Sequence, residues 1–369
     1  MQADIFCRVI DNYGDIGVCW RLARRLAHGR GWRVRLWVDD LRAFGCIRPG
    51  IDPDAGVQRQ AGIDIVHWTP SPPPLAPGDV VIEAFACDPP AAFVQAMRAR
   101  PPVWINLEYL SAEPWVESCH GLPSQRPDGL VKHFFFPGFT AATGGLLREP
   151  GLSAERDAFQ ASRPQQHAFL RGLGLDGAAL AHWQAGARVA TLFCYAHAPI
   201  AALAQALARD ARPTLLLAPA GVAPGLEEAG AGALRIARVP FVAQPDFDRL
   251  LWCADLNFVR GEDSFVRAAW AARPLVWHIY PQADDAHLDK LDAWLARYPG
   301  PPQAQALIRA WNAPGDAAAA VAAALPAALA APAWPAWQGA ARAWDASQAA
   351  RPDLGDTLAD FCAELARKR

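Results

Sequence analysis

The chain reads as an α/β protein made of two Rossmann-like domains that face each other across a ligand cleft. Three observations predict this. A length of 369 residues is enough for two separate cores. Short apolar runs alternate with helical segments in two successive series, one per half, which is the pattern of parallel sheets covered by helices on both faces. Polar segments carrying glycine or acidic residues fall directly after apolar runs, at the sheet edge where such folds bind ligands.

Taken in order, 4–10 is the first strand and 18–28 an amphipathic helix with arginine on its polar face. Strands follow at 33–38, 63–68, 80–85 and 103–107, with a helix over 91–98 and a proline-rich surface loop, TPSPPPLAPG, over 69–78. HFFFPGF (133–139) is the last strand of this half, and 140–165 is a loop-rich edge that closes a first domain at 1–165. A second domain, 180–350, begins with the strand VATLFCY (189–195). It continues with a helix over 200–209, strands at 214–217 and 234–239, and a helix over 247–254. A strand at 256–259 leads through a polar elbow (260–264) into a helix that ends before Arg273-Pro274. A strand at 275–280 and a helix at 284–297 follow. The terminal segment, 351–369, ends in an amphipathic helix with Leu358, Phe361, Cys362 and Leu365 on one face.

Composition narrows the function. Hydrophobic content of 52% and charged content of 20% fit a soluble globular protein. A net charge of −2 without basic runs gives no reason to expect nucleic acid. Three lysines stand against 32 arginines, a bias that fits a GC-rich genome better than a function. The eight cysteines contain no C-x-x-C pair and read as buried thiols of a reducing cytoplasm. The first residues lack the basic and apolar regions of a signal peptide, and the alanine-rich stretch 317–331, broken by Pro326, is too short to span a bilayer. The expectation is a cytoplasmic protein with no membrane contact.

Two segments can carry chemistry. In the elbow Arg260-Gly261-Glu262-Asp263-Ser264, a helix N-terminus points backbone N–H groups outward, Ser264 adds a hydroxyl, and Arg260 adds a cation that forks onto phosphate. That suits a diphosphate. The same residues also fit an ordinary capped helix, with Asp263 or Ser264 as N-cap and Arg260 paired to Glu262. The loop Asp11-Asn12-Tyr13-Gly14-Asp15-Ile16-Gly17 puts two carboxylates at the edge of the first sheet. It lacks the G-x-G-x-x-G fingerprint, and its acids would repel a pyrophosphate, which argues against a dinucleotide there. Carboxylates in this place suit proton abstraction or a cationic ligand, and Asp15 could equally cap the following helix.

Phe193, Tyr195 and Tyr280 fall at strand ends of the second domain, where aromatics can stack on a nucleobase. No histidine spacing fits a metal site. Asp246-Phe247-Asp248 opens a helix, and Asp284-Asp285 reads as a helix cap, so both are explained without a metal.

DNYGDIGVCWRLARRL, NLEYLSAE (106–113), KHFFFPGFTAATGGLLRE (132–149) and RGEDSFVRAAWAARPLVWHIYPQ (260–282) together resemble the EarP family, the protein-arginine rhamnosyltransferases of bacterial elongation factor P. The likeness runs through both halves in order. It implies a GT-B fold and a metal-independent, inverting transfer of L-rhamnose from dTDP-β-L-rhamnose to an arginine in the N-terminal domain of elongation factor P. By resemblance Phe193, Tyr195, Gln244 and Tyr280 surround the thymine, and Arg260, Glu262, Asp263 and Ser264 hold the ribose and diphosphate. Tyr13 and Gly17 count with the donor-binding residues. Asp11 and Asp15 face the acceptor, with Asp15 as the base, and the terminal helix crosses back onto the first domain. The rival readings are a GT-B transferase with a small-molecule or lipid acceptor, and a nucleotide-binding partner protein without catalysis.

Overall fold

The computed structural model describes residues 1–11, 13–229 and 231–368, with backbone alone for Ala229 and Ala283, and leaves Asn12 of the first loop outside the described residues. The chain forms two compact units, Met1–Pro150 with Gln348–Arg369, and Gly151–Ser347.

The first unit carries strands β1 (Gln2–Cys7), β2 (Arg33–Val38), β3 (Val57–Gln60), β4 (Ile63–His67), β5 (Val80–Ala84), β6 (Val103–Leu107), β7 (Pro123–Gln125) and β8 (Val131–Phe135). They form one sheet of order β3-β4-β2-β1-β5-β6-β8-β7, parallel throughout except for the edge strands β3 and β7. Alternate side chains feed two cores. Ile5, Cys7, Leu36, Val38 and Ile105 lie in one, while Phe6, Trp37 and Trp104 lie in the other. Strand order reverses between β1 and β5, so the end of β1 is a topological switch point, where open α/β sheets bind ligands.

The helix Leu354–Arg367 belongs to this unit. Its Leu354, Leu358, Ala359 and Cys362 join the core that holds Leu107 and Phe135. Asp353 caps it by accepting from the Gly355 N–H at 2.8 Å and also accepts from the Arg25 Nη2 at 2.8 Å. Gly355 is needed for this approach, because a Cβ there would stand 2.3 Å from the Arg25 Cγ.

The second unit holds β9 (Arg188–Leu192), β10 (Thr214–Pro219), β11 (Leu234–Val239), β12 (Leu256–Arg260) and β13 (Leu275–His278). The sheet is fully parallel, in order β11-β10-β9-β12-β13. Its switch point lies between β9 and β12, where Phe193 to Tyr195 and the 260–264 elbow leave the sheet.

Several boundaries differ from expectation. The first helix begins at Gly14 rather than at 18, because the Gly14 N–H donates to the Asp11 carbonyl and the Gly17 N–H to that of Tyr13. The segment 140–165 is not loop throughout, and the first unit ends at Pro150 rather than at 165. Helix Leu152–Ala161 begins there, buries Leu152 and Phe159, and ties itself to the second unit through Arg156, which donates to the Trp270 carbonyl and pairs with Asp345. Periodicity also understated the helices Arg163–Gly172, Gly177–Gln184, Pro302–Trp311 and Ala333–Ala349. Among the described residues no single helix is long and apolar enough to cross a membrane.

Candidate functional site

In the first unit, the acidic loop leaves the end of β1 at the switch point. Asp15 sits in the first turn of helix Gly14–Arg24 and is only 3% exposed. It does not cap its own helix. Its Oδ2 reaches back to accept from the backbone N–H groups of Ile10 (2.8 Å) and Asp11 (2.9 Å). The Tyr109 side chain, just past β6, bonds to it as well. Burial is the largest influence on its carboxyl and raises it above the ordinary carboxylate range. The two backbone donors and Tyr109 oppose that shift, and the Asp11 charge adds to it. Asp11 is half-buried beside it. Gly14 separates the two acids; a Cβ at Gly14 would lie 3.4 Å from the Asp11 Oδ2. Tyr13 packs against the core of this unit and Gly17 is buried in the helix, so Gly17 serves packing before any ligand.

Tyr109 is a positioning residue that the strand pattern did not single out, although it lies inside the NLEYLSAE motif. Its ring stacks on Phe85 (4.4 Å between centroids, 14° between planes) and so holds the phenol at Asp15. Its place just beyond a central strand was the available signal.

In the second unit, β12 ends at Arg260, and Gly261 turns the chain with φ +62, which only glycine takes without strain. The Trp277 Nε1 donates to the Gly261 carbonyl at 2.8 Å and anchors the turn. The helix begins at Asp263, two residues earlier than its apolar run. The capped-helix alternative does not hold in detail. The N-cap is Glu262, without a side-chain cap bond, and Glu262 pairs with Lys290 at 2.7 Å rather than with Arg260. Ser264 is engaged locally, donating its hydroxyl to the Arg260 carbonyl and accepting from the Arg260 N–H. Its hydroxyl proton is therefore already committed to the turn.

Arg260 itself donates one Nη1 bond, to the Cys194 carbonyl at 3.2 Å, and its guanidinium carbon lies 5.1 Å from the Tyr195 ring centroid. Among the described residues it makes no ion pair. Tyr195 meets Tyr280 edge-on at 5.8 Å, and Tyr280 remains 43% exposed. Arg260, Tyr195 and Tyr280 are thus gathered at one sheet edge. Phe193 packs edge-on against Phe247 at 4.9 Å, on the helix that Gln244 opens, and Gln244 is buried.

Phe241, 48% exposed just after β11 on the same edge, is an aromatic the sequence reading passed over, although Pro240 marks the strand end. His278 was also missed. Its Nδ1 accepts from the Tyr195 N–H at 3.3 Å, so its proton sits on Nε2 and points to the His197 Nε2 at 2.9 Å. Burial first, then His197 and Arg260, push its pKa down to about 3, which leaves a neutral ring that fixes the Tyr195 backbone.

The acidic pairs elsewhere serve structure. Asp248 is buried and forks onto Arg267 (2.8 and 2.7 Å), a cross-link between two helices rather than a simple helix-dipole contact. Asp284 and Asp285 adopt left-handed backbone (φ 55 and 54), and Asp285 makes no side-chain cap bond, contrary to the capping expectation. Among the described residues no cluster of three or more histidine, cysteine or acidic side chains could hold a metal ion.

Comparison with known proteins identifies the family. The family model described as "Elongation-Factor P (EF-P) rhamnosyltransferase EarP" matches residues 3–363. A protein-arginine rhamnosyltransferase of Pseudomonas putida is 51% identical, over 97% of this chain and 97% of its own. A solved structure concerned with EarP-mediated arginine glycosylation of translation elongation factor EF-P is 37% identical, with a TM-score of 0.66 over 98% of this chain and 99% of that one. The MurG structure from Acinetobacter baumannii, at 11% identity and a TM-score of 0.55, covers 98% of this chain and 99% of that one and shares the fold alone. The chain therefore belongs to the EarP family of protein-arginine rhamnosyltransferases, glycosyltransferases of the GT-B fold.

Proposed function

We propose that the protein transfers L-rhamnose from dTDP-β-L-rhamnose to an arginine in the N-terminal domain of elongation factor P, with inversion at the anomeric carbon and without a metal. Family membership supports the reaction class. The observation that carries the donor assignment is Arg260: a permanent cation at a switch point, with no carboxylate paired to it among the described residues, beside two tyrosines.

In this reading the thymine lies among Phe193, Tyr195, Tyr280 and Gln244. The diphosphate lies against Arg260 and the backbone N–H groups that open the helix at Asp263 and Ser264. Glu262, held by Lys290, lies at the ribose end of the donor.

The acceptor guanidinium is protonated and delocalised, so it is a poor nucleophile until a carboxylate holds it and takes a proton. Asp11 pairs with the cation. Asp15 accepts the proton as the guanidine nitrogen bonds to the anomeric carbon and the bond to the diphosphate breaks. Burial raises the Asp15 carboxyl and makes it a stronger base than an exposed aspartate. The departing dTDP gains negative charge, which Arg260 and the helix N-terminus stabilise; one such preorganised donor is worth about 3 kcal/mol. Attack opposite the leaving group inverts the centre in one displacement.

The test is incubation of the purified protein with dTDP-β-L-rhamnose and elongation factor P. Intact-mass and peptide spectra should give one deoxyhexose on a single arginine, unchanged by EDTA, and NMR should give an α-linkage. No mass gain, or gain on a residue other than arginine, refutes the reading; loss of turnover in EDTA refutes its metal-free part.

A further inference from the structure

Arg260 is held by a peptide whose other end is held as well. The Arg260 Nη1 donates to the Cys194 carbonyl at 3.2 Å, and the Tyr195 N–H donates to the His278 Nδ1 at 3.3 Å. That carbonyl and that N–H are the two ends of one peptide group. The group is planar and rigid, so a bond at one end fixes the direction of the other. A single peptide just past β9 thus links the arginine of the elbow to a side chain at the end of β13.

His278 is itself firmly seated. It stands beside Arg260 in the β12–β13 register and is 1% exposed. The rings of Tyr195 and His197 lie parallel, 6.1 Å apart, and both meet the His278 ring edge-on, at 5.0 and 4.6 Å. Its Nε2 lies 2.9 Å from the His197 Nε2, so the ring is bonded at both nitrogens. Asn312 grips the backbone of β13 on either side of His278. It donates to the Trp277 carbonyl at 2.7 Å and accepts from the Ile279 N–H at 3.0 Å. Trp277, on the opposite face of the strand, bonds the Gly261 carbonyl, and the Gly261 N–H donates to the His278 carbonyl at 3.1 Å. The end of β13 therefore grips both loops that leave the switch point.

We infer that His278 is a positioning residue of the donor site, which aims the Arg260 guanidinium through the Cys194–Tyr195 peptide. This rests on the reading of Arg260 as the cation that binds the donor diphosphate. An apolar side chain in place of His278 leaves the Tyr195 N–H without its acceptor, and a peptide freed at that end can turn its carbonyl away from Arg260. The imidazole also polarises the peptide, which makes the carbonyl a stronger acceptor for the guanidinium.

Calorimetry with dTDP on the full chain tests this in a double-substitution cycle. His278→Leu removes the acceptor, and His278→Asn returns one at the δ position of a side chain no larger than leucine. His278→Leu should weaken dTDP binding about tenfold, and His278→Asn should recover most of that loss. Packing alone gives the reverse order, since the apolar leucine suits a buried site better. With Arg260→Ala already present, His278→Leu should cost nothing further, because its route to the donor is gone. Near-parental binding by His278→Leu overturns the inference. So does His278→Asn binding no better than His278→Leu, or an equal loss in both backgrounds. Thermal melts confirm that each variant folds. Hydrogen exchange at the Tyr195 amide needs no variant: protection supports the inference, and exchange at the rate of an open loop overturns it. An unsubstituted protein that fails to bind dTDP refutes the donor reading and this inference with it. One that binds, and responds to Arg260→Ala but not to His278→Leu, refutes the inference alone.

Discussion

Replacing Asp15 by asparagine separates the chemistry of its carboxylate from its structural role. The Oδ2 accepts two backbone N–H bonds, from Ile10 and Asp11, and an amide oxygen of the same shape can accept both. The loop should therefore stay in place while the proton acceptor disappears. A positioned general base contributes about 10²–10⁴-fold, so kcat should fall by roughly that factor while dTDP affinity holds. Stability should move the other way. The folded carboxyl is raised above its unfolded value, so its contribution is favourable below the unfolded pKa and is lost as pH rises through the folded one. At neutral pH the ionised Asp15 is a net cost, and Asp15→Asn should melt no lower than the parent.

The pH profile gives a second readout. Transfer needs ionised Asp15, so kcat/KM of the unsubstituted enzyme should fall tenfold per pH unit below a midpoint above the ordinary aspartate value of about 3.9. Discontinuous mass-spectrometric rates on elongation factor P, between pH 4 and 8, supply both measurements. Near-normal turnover in Asp15→Asn, or an identical acid limb in the two proteins, refutes the assignment. A variant that is inactive and also melts several degrees lower would instead make Asp15 a structural acid.

Other perturbations address the donor side. Arg260→Ala should weaken dTDP binding by roughly 10–100-fold in calorimetry, the worth of about 1.5–3 kcal/mol for a hydrogen bond to a charged group, and unchanged affinity removes the diphosphate role. Asp248→Ala leaves Arg267 buried without its forked partner and should lower stability by about 3–5 kcal/mol in urea; a loss below about 1 kcal/mol would mean that the pair is not buried as described. His278, held neutral by burial with its pKa at about 3, should show ring NMR shifts that stay constant from pH 5 to 8, whereas titration within that window would mean an open, hydrated ring at Tyr195.

Much of the fold was legible because both sheets bury strands on two faces. The run 103–107, apolar but for Asn106 and buried throughout, coincides with β6, while 33–38 and 234–239, each with two arginines, still coincide with β2 and β11. The helices missed have a common cause. Ala333–Ala349 and Gly177–Gln184 are rich in alanine, tryptophan and glycine, so apolar residues occur all round them and no period stands out. Leu152–Ala161 is short and opens from a left-handed Gly151, which reads in sequence as a loop residue. The early end of the first unit follows from tertiary bonds of Arg156 to Trp270 and Asp345, which have no local signature.

The candidate site was legible in a different way. Position could be read, because ligands of open parallel sheets gather at switch points, and 11–17 and 260–264 both follow strands that turn out to border one. Partnership could not. Whether Arg260 is a structural ion pair or a waiting cation depends on Lys290, 28 residues beyond Glu262, which takes the carboxylate that Arg260 would otherwise have had. Likewise the basicity of Asp15 depends on burial and on Tyr109, a residue nearly a hundred positions away that the fold brings in from the end of β6. Both decisive facts concern which neighbour reaches a charged group first. Competition of that kind is resolved only in three dimensions, and it leaves, in two loops of ordinary composition, one buried carboxylate and one cation without an ion pair among the described residues.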